Sequence, residues 1–292
     1  MSHIPYDFPI YRIKAPAKLN IRLKVIGRRP DGYHELISIM VPIDLFDLIE
    51  LRVLNDRRIQ LDCDGYDVPE DERNLAYKAA QSFFSKVGHQ KGLSIKLFKN
   101  IPVAAGLGGG SSDAATVLLS LNEMWSSPLG PSDLHQIAVQ LGADVPFFLY
   151  CKPSLARGIG EILEPIEKWP GFSYVIVTPR IQVSTFWVYG HLKLKLTANE
   201  YESIIHILKK EDFPISKILE NDLESVTSSR FPIIDTIKKR LVDAGAVGAM
   251  MSGSGPSVFG VFTSLDQAES AKKKLTSQEL GDVFIAKDWE RN

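Results

Sequence analysis

Pro102-Val103-Ala104-Ala105-Gly106-Leu107-Gly108-Gly109-Gly110-Ser111-Ser112-Asp113-Ala114-Ala115 is the stretch that orders the rest of the reading. Four glycines fall within five positions, two hydroxyls follow, and an Ala/Leu-rich segment of helical character begins behind them. Glycine admits positive φ and lets a ligand come close to the backbone. A helix that starts there offers N–H groups with no intrahelical partner and the positive end of its dipole. Together these features suit phosphate. An ordinary structural turn is the weaker reading, because three consecutive glycines cost backbone entropy that a simple turn has no need to incur. Neither common phosphate-loop pattern fits. No Lys follows the glycines as Gly-x-x-x-x-Gly-Lys-Ser/Thr requires, and Ser111 stands where Gly-x-Gly-x-x-Gly needs its last glycine.

The bulk composition narrows the class. The 292 residues suffice for two domains, and 45% hydrophobic with 24% charged residues is a globular composition. Lys+Arg 34 against Asp+Glu 35 leaves a net charge of -1, so no basic field recruits nucleic acid or anionic lipid. Cys63 and Cys151 are too few and too far apart for a disulfide framework or a metal knuckle, and are expected as reduced thiols of a cytoplasmic protein. Residues 1–11, with Pro5, Asp7 and Pro9, lack the apolar core of a secretory signal, and no run approaches the ~20 apolar residues of a membrane span.

Outward from the loop, periodicity predicts strands at 10–13, 19–26, 36–42, 48–53 and 93–98, and helices at 74–87, from behind the glycine loop to about 125, and at 132–141. Arg29-Pro30-Asp31-Gly32 is a turn by composition. The Pro- and Gly-rich stretch 151–170 reads as a boundary. Beyond it, strands at 174–177, 258–262 and 283–286 and helices near 203–210, 232–244 and 264–275 predict a small α+β unit.

Several residues stand out against this background. Lys18 and Asn20 lie among apolar neighbours at a strand start; Lys18 is either a solvated lysine on a half-exposed strand or a cation beside a reacting hydroxyl or phosphate. Asp144 is the lone carboxylate of Leu141-Gly142-Ala143-Asp144-Val145-Pro146-Phe147-Phe148, either a turn residue ahead of Pro146 or, once buried beside a phosphate loop, a general base. Ser111 and Ser112 suit a helix N-cap region. Asp113 would repel a phosphate and is expected to turn away and cap backbone N–H groups. Tyr33 and His34 follow the turn, where a ring face and a donor–acceptor pair can take a base or sugar. Met251-Ser252-Gly253-Ser254-Gly255-Pro256-Ser257 is a second small-residue loop, either a tight turn or a nest opposite the first.

Three segments, Pro16-Ala17-Lys18-Leu19-Asn20, Pro102 to Ala115 and Met251 to Gly260, resemble in order the three motifs of the GHMP kinases, a superfamily that includes galactokinase, homoserine kinase and mevalonate kinase. Arg28 to Leu36, Gly142 to Phe148 and Gly158-Ile159-Gly160-Glu161 resemble the branch acting on a cytidylyl methylerythritol in the non-mevalonate isoprenoid pathway. The resemblance implies an α+β, two-domain fold with an active-site cleft between an ATP-binding domain, residues 1–160, and a C-terminal domain, residues 161–292. It implies ATP and Mg²⁺, with the metal's ligands unassigned, and a small-molecule acceptor. Neither nucleic acid nor membrane is an expected partner, and the state is a monomer or weak homodimer. By position, Asp144 would be the base and Lys18 its cationic partner. Pro102, Ala104, Gly106, Gly108, Gly109, Gly110, Ser111 and Ser112 would hold the nucleotide, with Asn74 toward the adenine. Asn20, Tyr33, His34, Asp144, Thr185 and Tyr189 would hold the acceptor, Tyr33 and Tyr189 sandwiching the cytosine and Phe186 the alternative ring. The rival readings are a GHMP kinase with another acceptor, a non-catalytic ligand-binding relative, and a nucleic-acid module.

Overall fold

The computed structural model describes residues 9–88, 91–193, 200–208 and 215–291. The chain runs β1 (Tyr11–Arg28), β2 (His34–Leu54), β3 (Ile59–Gly65), α1 (Leu75–Val87), β4 (Gly92–Lys99), α2 (Gly109–Met124), α3 (Pro131–Leu141), α4 (Val145–Tyr150), β5 (Ser154–Gly158), β6 (Ile162–Pro165) and β7 (Ser173–Thr178). It continues through α5 (Thr185–His191), α6 (Glu200–Leu208), α7 (Ile215–Ile218), β8 (Glu220–Asn221), α8 (Glu224–Arg230), α9 (Ile233–Asp243), β9 (Gly248–Met251), β10 (Val258–Phe262), α10 (Leu265–Thr276) and β11 (Asp282–Lys287).

Two compact units gather these elements, and neither is one consecutive stretch. The first takes the described residues up to Ala15, then Phe46–Val103 and Gly109–Leu149; the second takes Pro16–Leu45, Ala104–Gly108 and the described residues from Tyr150 on. Both β1 and β2 run on from one unit into the other.

In the first unit, the later half of β2 pairs antiparallel with β4, from Leu48↔Phe98 to Leu54↔Gly92, and β3 lies parallel to β4. Helix α1 begins where expected: Asn74 Oδ1 accepts from the Ala76 N–H at 2.9 Å, a cap worth ~1 kcal/mol. It ends at Gly88, whose φ of 71° suits a helix C-terminus. Phe83, Phe84 and Trp125 meet edge to face with centroids 5.4 to 6.0 Å apart, which adds ~0.5–1.5 kcal/mol per pair beyond burial.

In the second unit, the earlier half of β2 pairs antiparallel with β5, and β5 with β6. These two strands occupy the stretch read from sequence as a boundary. A separate sheet has the order β11-β7-β10-β9. Its core joins Val175, Val177, Val258 and Phe262 to Ile234, Ile237 and Leu241 of α9 and Ala268, Ala271 and Leu275 of α10. The expected α+β unit is present, with β9 as an added edge strand.

The strands expected at 10–13 and 19–26 are one strand, β1, and those at 36–42 and 48–53 are one strand, β2. Both faces of β1 are buried. Leu19, Ile21, Leu23 and Val25 fill one; Lys18, Asn20, Arg22 and Lys24 fill the other. The cations on that face are paired: Arg22 with Glu220 at 2.6 Å, and Lys24 with Glu220 and Asp222 at 2.7 and 2.8 Å.

Candidate active site

In the second unit, Lys18 is only 4% exposed, which removes the reading of a solvated lysine. Its Nζ donates to Asn20 Oδ1. The other end of that amide donates to Ser38 Oγ at 2.8 Å, and Ser38 donates to the Arg22 carbonyl at 2.7 Å. The Asn20 N–H donates to Ser252 Oγ at 3.2 Å, and Ser252 donates to the Gly106 carbonyl at 2.9 Å. One buried serine thus ties the lysine strand to the leading half of the glycine loop.

That leading half also rests on the Met251–Ser257 loop directly. The Lys18 N–H donates to the Leu107 carbonyl at 2.9 Å and the Ser257 N–H to the Ala105 carbonyl at 3.2 Å. Gly106 has φ 77°, and a Cβ there would fall 2.0 Å from the Ser252 carbonyl oxygen, so the two loops touch only because the residue is glycine. Asn221 anchors the second loop by donating to the carbonyls of Met251 and Gly253, each at 2.8 Å. Ser38, Ser252 and Asn221 were missed as site residues because a single sequence carries no sign of their contacts, which span 18, 232 and 30 positions in turn. The second loop is a tight turn between β9 and β10, closed by the Gly255 N–H on the Ser252 carbonyl at 2.9 Å, and it supports the first loop directly.

Of the acceptor candidates in this unit, His34 and Tyr189 come together. A turn closed by the Arg29 N–H on the Tyr33 carbonyl at 2.7 Å presents Tyr33, 59% exposed, and His34 at the start of β2. The His34 ring lies 5.0 Å from that of Tyr189, tilted by 32°. Thr185, on the same face of α5 one turn earlier, shares a 2.8 Å hydrogen bond with Ser254. Phe186 is 90% exposed. Burial and the Arg28 charge hold His34 below its ordinary pKa, so near pH 7 it is a neutral ring with one donor and one acceptor.

In the first unit, α2 opens at Gly109, so Ser111 and Ser112 lie inside its first turn rather than at a cap. Pro102 is buried at the loop entry; Ala104, exposed at φ 51°, and Gly108, at φ 73°, belong to the second unit. Gly110 is exposed, and a Cβ on it would find only Leu75 Cδ1 at 3.9 Å. Ser112 Oγ is buried with no hydrogen-bond partner among the described residues. Open space at Gly110, an unused hydroxyl and unpaired helix-start N–H groups are what a polyphosphate requires.

Asp113 does not cap backbone N–H groups. It accepts from Lys99 Nζ at 2.5 Å, and Lys99 also donates to Asp47. All three side chains are at most 4% exposed. Burial pushes Asp113 up to about 7 against the pull of Lys99. Burial works to lower the Lys99 ammonium, but the charges of Asp113 and Asp47 outweigh it and hold the group above its ordinary value. Asn74 is engaged by the protein through its cap and through Nδ2 to the Pro69 carbonyl at 2.9 Å. Asp144 is half-buried immediately ahead of α4, less enclosed than its apolar surroundings in sequence suggest. Cys63 and Cys151 are free thiols. No group of three or more His, Cys, Asp or Glu able to hold a metal occurs among the described residues.

The family comparisons agree with these elements. The model of the GHMP kinases N terminal domain matches residues 74–152 and that of the GHMP kinases C terminal region residues 208–280. A 4-diphosphocytidyl-2-C-methyl-D-erythritol kinase of Syntrophotalea carbinolica is 49% identical over 270 residues, 92% of this chain and 96% of that one. The chain belongs to the 4-diphosphocytidyl-2-C-methyl-D-erythritol kinase family. A second relative of that name, from Geobacter metallireducens, is 48% identical over 94% of this chain and 96% of its own length. The crystal structure of a 4-(cytidine 5'-diphospho)-2C-methyl-D-erythritol kinase superposes with a TM-score of 0.81 at 35% identity, covering 95% of this chain and 98% of that one. A mevalonate kinase of L. major, at 18% identity and a TM-score of 0.74 over 99% of both chains, shares the GHMP kinase fold.

Proposed function

We propose that this chain transfers the γ-phosphoryl group of ATP to the 2-hydroxyl of 4-diphosphocytidyl-2-C-methyl-D-erythritol, giving the 2-phosphate and ADP. The observation that carries the reading is the near-full-length likeness to kinases of that name. The local chemistry fits. Gly108, Gly109, Gly110, Ser111 and Ser112 hold the donor's phosphates, with Pro102, Ala104 and Gly106 shaping the entry and Asn74 toward the adenine. Asp144 takes the proton of the acceptor hydroxyl as its oxygen attacks phosphorus. Lys18 offsets the charge that develops on the transferring group, while Asn20 orients the acceptor. Phosphoryl transfer depends chiefly on positioning and charge, so a sparse set of side chains suffices.

Mg²⁺ supplies charge neutralisation on the phosphates when bound. The residues present fit an ion carried in by the nucleotide, with the Ser112 hydroxyl on hand, rather than one caged by carboxylates. At the cytidine end His34 reads the base edge as a neutral ring, Tyr33 and Tyr189 stack it, and Thr185 bonds nearby. The free thiols suit a reducing cytoplasm.

The test is ADP release with five acceptors: diphosphocytidyl methylerythritol, mevalonate, phosphomevalonate, homoserine and galactose. Turnover confined to the first supports the reading; turnover with another in its place overturns it.

A further inference from the structure

The buried cluster of Lys99, Asp47 and Asp113 has no part in the chemistry above, yet its position is specific. Each charge comes from a different element of the first unit: Asp47 from β2, Lys99 from the last position of β4, Asp113 from the start of α2. Asp47 Oδ1 also accepts from the N–H groups of Asn100 and Ile101, at 2.6 and 2.8 Å, so it pins the chain on its way into the glycine loop. The exit of the loop lies against the same two residues, Asp47 and Ile101. A Cβ at Gly109 would stand 3.3 Å from Asp47 Oδ2 and 3.1 Å from Ile101 Cγ2.

A cluster serving stability alone would not need this composition. Apolar residues of similar volume are often as stable as a buried ion pair or more so. Here two carboxylates share one ammonium, and Asp113 Oδ1 is buried with no hydrogen-bond partner among the described residues. A bare carboxylate in the first turn of α2 would also repel the anion that the helix start attracts. The Lys99 ammonium on Asp113 cancels that repulsion while the three charges lock strand ends to helix start.

We propose that Lys99, Asp47 and Asp113 are positioning residues for the phosphate donor: they hold Gly109, Gly110 and the first turn of α2 in the one arrangement that grips the polyphosphate. The proposal rests on the reading that Gly108–Ser112 holds the donor's phosphates. Assayed at pH 8, above the value of about 7 to which burial pushes its carboxyl, Asp113→Asn keeps the shape and removes the charge. The folded variant is expected to bind a non-hydrolysable ATP analogue at least about tenfold more weakly by calorimetric titration, with KM for the cytidylyl acceptor changed less than twofold. Asp47→Asn, which keeps its carbonyl oxygen for the two backbone N–H groups, carries the same expectation if Asp113→Asn does not fold. Unchanged nucleotide affinity in a folded variant, equal losses for both substrates, or failure of both variants to fold overturns the positioning role. Gly110→Val separates the two claims, because its side chain enters open space beside the helix start. Weak nucleotide binding by Gly110→Val with normal binding by the triad variants removes the triad and leaves the cradle. Normal binding by folded Gly110→Val removes the cradle itself.

Discussion

A lysine on a strand ordinarily lays its stem on apolar surface and keeps its ammonium in water. Lys18 is enclosed instead, with Asn20 as its hydrogen-bond acceptor and Ser38 and Ser252 holding Asn20 in turn. Its type and its neighbour Asn20 were legible in the sequence; the two serines that hold Asn20 were not, because they arrive from another strand and a distant loop. Asp144 was legible in the same partial way, as one carboxylate in an apolar run. If it is the base, Asp144→Asn loses at least about 10²-fold in kcat, the low end for a positioned proton acceptor, while ATP affinity holds within about twofold. Near-normal turnover would remove the assignment. At the other end of the acceptor, Tyr33 is exposed enough to be cut back without disturbing the fold. Tyr33→Ala is expected to raise KM for the cytidylyl substrate about tenfold, within the range for loss of one base–aromatic stack, and to leave KM for ATP unchanged. Equal changes in both constants would rule out stacking by this ring.

Elements were read well where local chemistry decides them. Asn74 and Gly88 bracket α1 because a cap and a left-handed stop are local devices. The long strands were broken into pieces because Pro16 and Pro42 imitate strand ends, whereas β1 and β2 pass through both. Residues 151–170 looked like a linker because Gly158 and Gly160, at φ 72° and 122°, make a turn between two short strands whose pairing partner lies in β2. Helix α2 shows the opposite failure: its start was legible, but the destination of Asp113 was not, since Lys99 and Asp47 lie on other elements. That burial has a consequence for stability. With its folded pKa about 7 and its ordinary value 3.8, Asp113 holds a proton in the folded chain that the unfolded chain has released between those limits. Stability from this group is therefore full below about 4 and declines as pH rises through 7. Thermal melts are expected to show the wild type losing stability relative to Asp113→Asn across that interval. A difference independent of pH would mean that the carboxylate stays ionised in the fold.

At the scale of the molecule, the chain carries a net charge of -1, and no helix among the described residues is long and apolar enough to cross a membrane. The strands β1 and β2 each carry residues of both compact units, so the chain passes from one to the other along a strand rather than at a linker. The family was legible, since its motifs are short, ordered and rich in residues with local consequences: glycines at positive φ, a lysine in an apolar strand, a carboxylate ahead of a helix. The account as a whole claims that one phosphoryl group passes from ATP to one hydroxyl of a cytidylyl polyol. Phosphorus NMR of the product formed from ATP, Mg²⁺ and 4-diphosphocytidyl-2-C-methyl-D-erythritol examines that claim directly. A new phosphomonoester on the 2-oxygen, formed in step with ADP, is the predicted result; ATP left intact, or phosphate on another oxygen, would contradict it.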